Sequence, residues 1–110
     1  MFGIIYMGIG MSLVKSLIDK EFVRNQNMIL AYEKELSILP KGSIKTKIIG
    51  NKSYFYLNYR DGKKVISKYI GKEENASFVK EQLERRHHIE LMIKKLKQEQ
   101  RQIKKMEALL

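Results

Sequence analysis

Nine residues between Lys45 and Tyr69 have the types and spacing to do chemistry on a polyanion: Lys45, Lys47, Tyr54, Tyr56, Asn58, Arg60, Lys63, Ser67 and Tyr69. Within each run they recur at steps of two or four, the rhythm at which strand side chains share a face. Ammonium and guanidinium groups take phosphates, tyrosine rings stack on bases and sugars, and short amide or hydroxyl side chains reach base edges. A purely structural reading, in which the tyrosines form cross-strand pairs and lysines guard sheet edges, uses the same residue types. The mixture of cations, rings and small polar groups on one face favours the polyanion.

No other constellation competes. His87 and His88 are adjacent, and adjacent helical residues point about 100° apart, so they do not chelate one metal readily. No His-x-x-x-His spacing completes a site, and the pair reads as two surface histidines. No glycine-rich loop follows a strand and opens a helix, which removes the familiar phosphate cradles. The 12 carboxylates sit mostly among basic neighbours in helical stretches, with no isolated acid–base pair. The expectation is a non-enzyme with no catalytic residue, no metal site and no cofactor.

Charge is distributed unevenly. Of a net +10, residues 41–72 carry nine Lys or Arg against one Asp, an excess of +8; the other 13 basic and 11 acidic side chains leave +2. A basic patch of this kind is the electrostatic footprint of nucleic-acid binders. The chain has no cysteine, which excludes a disulfide framework and thiolate metal sites and fits a cytoplasmic location. One hundred and ten residues, 44% apolar, allow one modest domain. Residues 1–11, MFGIIYMGIGM, form an apolar tail with no basic lead and too few residues to span a bilayer. Met11 is an alternative start, because Ser12 can cap a helix.

The elements that must position the nine residues follow from turn chemistry and periodicity. Residues 43–71 read as a three-stranded antiparallel β-meander. Asp61-Gly62 is a two-residue type I′ signal, and the first turn falls near Gly50, Asn51 and Lys52. A loop at Asp61-Gly62 pairs Arg60 with Lys63, Tyr56 with Ser67 and Tyr54 with Tyr69. A loop at Asn51-Lys52 pairs Lys47 with Tyr56 and Ile48 with Phe55. Arg60 opposite Lys63 would be a like-charge pair that an anion could relieve. Ile44, Thr46, Ile48, Phe55, Leu57, Tyr59, Ile66 and Ile70 then share a core face, and the nine site residues share the open one.

Helices flank the meander. Val14, Ile18, Phe22, Ile29, Tyr32, Leu36 and Leu39 mark a first helix over 12–39, with a kink or break expected at Asn25-Gln26-Asn27 and a stop at Pro40. Val79, Leu83, Ile89, Met92, Ile93, Leu96, Ile103, Met106 and Leu110 mark a long helix over 76–109, capped by Asn75 or Ser77. Gln100 falls at a core position of its heptad-like half, where a polar residue can set register. Ile93, Leu96, Ile103 and Met106 need cover, from the first helix or from a second copy in a homodimer.

The motifs Leu39-Pro40, Gly42-Ser43, Tyr54 through Val65 and Lys68 through Lys72, followed by the basic Glu84-Arg85-Arg86 region, resemble a family of short, uncharacterised bacterial proteins, many on mobile elements. The pattern is Leu-Pro-x-Gly-Ser, then Tyr-x-Tyr-Leu-x-Tyr-Arg-x-Gly-Lys-Lys-Val, then Lys-Tyr-Ile-Gly-Lys. A looser similarity runs to the front ends of some transposases and to the three-stranded arm-binding domains of phage-type integrases. The second likeness implies a sheet laid in the DNA major groove.

The expected architecture is α+β: two long helices, an antiparallel hairpin or coiled coil, flanking a three-stranded antiparallel β-meander in one domain over 12–110. The expected function is that of a nucleic-acid-binding accessory protein of mobile-element origin, with DNA ahead of RNA and no membrane partner. The alternative is a protein-interaction module, such as a phage-type, anti-CRISPR-like inhibitor that docks on a host nucleoprotein.

Overall fold

The computed structural model describes the backbone from Phe2 to Leu110 and the side chains from Ser12 onward. Met1 and the side chains of the expected N-terminal tail therefore lie outside the described residues. The elements are α1 (Phe2–Leu36), β1 (Ser43–Ile49), β2 (Lys52–Asp61), β3 (Lys64–Gly71) and α2 (Glu73–Ala108). The three strands form one antiparallel sheet in the order β1-β2-β3. The α+β class and the meander agree with the sequence reading.

The chain divides into two compact units, one made of Met1–Glu35 with Leu91–Leu110 and one of Leu36–Glu90. In the first, α1 packs antiparallel on the C-terminal part of α2. From Ser12 to Leu39 the sequence holds no glycine or proline, so nothing interrupts the helix. The backbone is helical from Phe2, so Ser12 lies inside α1 and is not its cap. No break occurs at Asn25-Gln26-Asn27 either. Asn25 completes the apolar stripe of Ile18, Phe22, Ile29, Tyr32 and Leu36 at steps of three and four. It is 0% exposed, and its Nδ2 donates to the Leu96 carbonyl at 2.8 Å. The polar residue of the seam is thus Asn25, whereas Gln100 is only half-buried.

Ile18 and Ile29 of α1 and Ile93, Leu96 and Ile103 of α2 are buried in this unit. Each such side chain contributes roughly 1.5–3 kcal/mol when removed from water. Three of the four α2 residues that needed cover therefore receive it from α1, while Met106 and, on α1, Val14 stay exposed. Polar pairs flank the seam: Arg24 Nη2 lies 3.4 Å from Glu99 Oε1, and Lys97 Nζ lies 3.8 Å from Glu33 Oε1.

In the second unit α1 ends at Leu36, three residues before the expected Leu39. Arg86 Nη1 donates to the Leu36 carbonyl at 3.1 Å and to the Leu39 carbonyl at 3.0 Å, while its Nε holds Glu90 at 3.0 Å. A cation on unsatisfied C-terminal carbonyls is favourable on both hydrogen-bonding and dipole grounds. Helix α2 starts at Glu73, earlier than expected, with Glu73 and Glu74 in its first turn. The Lys72 carbonyl accepts from the Ala76 amide at 3.1 Å, so Lys72 holds the cap position. Asn75 does not cap; its Nδ2 donates to the Ile70 carbonyl at 3.3 Å.

Both turns of the meander lie one residue away from the sequence expectation. The loops are Gly50-Asn51 and Gly62-Lys63, flanked by the pairs Ile49↔Lys52 and Asp61↔Lys64. Gly50 and Gly62 have φ of 65° and 63°, and among the described residues no non-glycine residue has positive φ. Glycine at the first loop position meets the type II′ requirement. A type I′ loop at Asp61-Gly62 would have forced Asp61 into positive φ. Each register consequently moves by two residues, which keeps the paired side chains on their assigned faces, except at an irregularity between Phe55 and Tyr56 where Phe55 pairs with Gly71. Arg60 faces Val65 and not Lys63, and Asp61 faces Lys64, so the anticipated like-charge pair does not form.

The core face meets the N-terminal half of α2. Ile44 and Phe55 line a groove of about 480 Å³ together with Ala76, Ser77, Lys80 and Leu83. Leu57 is 8% exposed, and Ile44, Phe55, Tyr59, Ile66 and Ile70 are half-buried. Thr46 and Ile48, near the first turn, are exposed and leave the expected core.

Candidate nucleic-acid interface

The second face of the sheet is assembled by strand pairing alone. Lys45 and Lys47 come from β1; Tyr54, Tyr56, Asn58 and Arg60 from β2; Ser67 and Tyr69 from β3. Antiparallel pairing arranges them in rows. Lys47 lies opposite Tyr54; Lys45, Tyr56 and Tyr69 form the next row; Ser43, Asn58 and Ser67 the third; Arg60 and Val65 the last. Eight of the nine expected residues thus share one surface. Lys63 does not: it occupies the second loop and belongs to neither face.

Ser43 is the residue that sequence reasoning missed. The expected register of β1 set its partners two residues off, so Ser43 had no place opposite Asn58. The signal that finds it is the short polar type of Ser43, Asn58 and Ser67, which match once Gly50-Asn51 is the loop.

The tyrosines form one cluster. The Tyr56 and Tyr69 rings lie 5.4 Å apart at an interplanar angle of 61°, and Tyr54 and Tyr69 lie 6.5 Å apart at 43°. Edge-to-face contacts of this type add about 0.5–1.5 kcal/mol per pair. Lys47 Nζ sits 5.0 Å from the centroid of the Tyr56 ring. Its ammonium is therefore held beside an aromatic surface, not extended freely into water. Tyr54 and Tyr56 are half-buried by these neighbours, while Tyr69 on the edge strand is 55% exposed. Tyr69 consequently offers the largest ring surface to a ligand.

Asn58 Oδ1 is buried and has no hydrogen-bond partner. Such an orphan acceptor costs about 1–3 kcal/mol. Asn58 is flanked across the strands by Ser43 and Ser67. The backbone under this row is tightly packed. Gly42 has φ of 114°, and a Cβ there would lie 2.1 Å from the Asn58 carbonyl oxygen and 2.9 Å from Tyr59 Cβ. Only glycine fits, which gives the Gly of the Leu-Pro-x-Gly-Ser motif its physical reason.

Among the described residues no group of three or more His, Asp or Glu side chains lies close enough to hold a metal ion, and His87 and His88 are exposed. Among the same residues, no helix is long and apolar enough to cross a membrane.

No curated protein and no solved structure matches the chain. A family described as a domain of unknown function, DUF6788, matches residues 18–85. That range contains the whole meander, its linker and the groove-lining start of α2, and it covers more than half of the chain. The chain belongs to the DUF6788 family.

Proposed function

We propose that the protein binds nucleic acid, DNA in the first place, as a non-catalytic accessory factor of mobile-element origin, through the open face of its meander. The observation that carries this reading is the composition of that face. Lys45, Lys47 and Arg60 are exposed around a three-tyrosine cluster and a row of short polar side chains, in a segment with an excess charge of +8. Lys45, Lys47 and Arg60 contact phosphates and supply affinity that falls with salt. Tyr69, with Tyr56 and Tyr54 behind it, packs on sugar or base. Asn58 and Ser67, joined by Ser43, are the groups suited to base edges. Lys63, in the loop, adds charge beside the face.

A specific observation favours the second reading, docking on a protein such as a host nucleoprotein. Ile49 and Val65, on the same face, are 64% and 65% exposed. Apolar groups of this size at the margins of a basic face suit a protein surface better than a phosphate backbone.

The test is an anisotropy titration of the whole chain with duplex DNA and with single-stranded RNA at several salt concentrations. Binding in the micromolar range at low salt, with affinity falling as salt rises, is the expected result. Binding no tighter than millimolar to either polymer ends the nucleic-acid reading and leaves the protein partner.

A further inference from the structure

The two halves of α2 treat charge differently. Residues 73–90 hold five Glu and three Lys or Arg, and Arg86 pairs with Glu90 four residues on. Residues 91–110 hold six Lys or Arg and two Glu. In this second half, Lys94, Lys97, Arg101, Lys104 and Lys105 follow one another at helical neighbour spacing. At 100° per residue they fall within an arc of about 100°. Like charges at three- and four-residue spacing destabilise a helix slightly. A surface kept only for solubility is better served by alternating signs, as in the first half.

All five cations are exposed. Lys97 reaches Glu33 at 3.8 Å, and Lys104 Nζ lies 5.9 Å from the Phe22 ring centroid, so both also serve the helix pair. Lys94, Arg101 and Lys105 have no acidic partner among the described residues. The arc contains no large apolar residue. Ile93, Leu96 and Ile103 of this half are buried in the helix pair, while Leu91, Met106, Leu109 and Leu110 are exposed outside the arc. A row of five exposed cations fits a partner with dense, regular negative charge, and duplex DNA carries one charge per about 1.7 Å of its axis.

We infer that the stripe Lys94, Lys97, Arg101, Lys104 and Lys105 is a second nucleic-acid contact, made to phosphates without reading sequence. The inference rests on the nucleic-acid reading of the protein but not on the meander's being the site. The test compares the wild type, Lys94→Gln/Arg101→Gln/Lys105→Gln and Lys45→Ala/Lys47→Ala in salt-dependent titrations of duplex DNA. Circular dichroism and thermal melting confirm that each variant is folded.

The triple variant should lower the slope of log K against log salt by about 1.8–2.7, the equivalent of two or three phosphate contacts. It should weaken binding alike on every sequence. Lys94→Arg/Lys105→Arg, which keeps the charge, should bind as the wild type does. A triple variant with unchanged affinity and slope, while Lys45→Ala/Lys47→Ala loses binding, overturns the stripe and leaves the meander reading intact. The opposite pattern supports the stripe and removes the meander. No binding by the wild type overturns both. Tighter binding of the wild type to phosphatidylserine vesicles than to DNA, abolished by the triple variant, overturns the inference in favour of a membrane surface.

Discussion

Tyr56, Leu57 and Asn58 are consecutive on β2, yet they belong to two surfaces under different constraints. Leu57 lines a pocket with Val79 and Gln82 of α2 and is buried, at 8% exposed; Tyr56 and Asn58 lie on the other face of the sheet and are half-buried. The core face is specified by burial: its members are apolar where the helix or the linker covers them, and its uncovered positions, Thr46 and Ile48, contribute little. The open face is not specified by burial, because the fold needs neither Lys45 nor Lys47 nor Arg60 to hold the sheet. A surface whose composition stability does not dictate can be set by a partner.

The sharpest way to break this comparison is to truncate neighbours on the two faces. Leu57→Ala should destabilise the protein by about 2–5 kcal/mol, through lost burial and the cavity it leaves. Tyr56→Ala should cost no more than about 1.5 kcal/mol, since it removes an edge-to-face contact and little core. Urea melts of the two variants measure both values. Equal losses would mean that the tyrosine face is a second core and not a binding surface.

The contrast between the faces is also what the sequence made legible. Period-two alternation fixes a face regardless of where the turn lies, provided the error is an even number of residues. The loops were displaced by one residue each, so the registers moved by two and the faces survived. The turn type was not legible, because Asp-Gly reads as a type I′ loop while the chain places its glycine first and keeps Asp61 opposite Lys64. Ser43 was missed for the same reason. In the helices, Asn25 reads as an interruption because it is polar, although its spacing from Phe22 and Ile29 fits the seam. Residue type outweighed position, and position was right. No sequence signal separated Val14 from Ile18; both are apolar and on neighbouring arcs, and only the packing of α2 buries one of them.

Function can be separated from stability by removing charge. Lys45→Ala/Lys47→Ala should change stability by less than about 0.5 kcal/mol, as exposed substitutions usually do. The loss of the Lys47 contact with the Tyr56 ring is the main cost. The same variant should lower the salt slope on duplex DNA by about 1.8. Lys63→Ala, in the loop, should lower it by less than either face lysine alone. If Lys63 proves equal to Lys45, the charge of the segment matters and its arrangement on one face does not.

The smallest effect on stability is expected at Asn58, and it is the most informative. A structural asparagine that holds a sheet together loses a satisfied hydrogen bond on truncation and destabilises by about 1 kcal/mol or more. Asn58 instead carries a buried oxygen with no partner. Asn58→Ala removes that unsatisfied group along with the side chain, so its melting curve should stay within about 0.5 kcal/mol of the wild type or move upward. Binding should respond differently. If the Ser43, Asn58 and Ser67 row contacts base edges, competition among duplexes of different sequence should show a preference in the wild type that shrinks in Asn58→Ala, with the salt slope unchanged. A variant that loses stability and keeps its preference would make Asn58 a spacer over the tightly packed Gly42. The open face would then hold nucleic acid by charge and stacking alone.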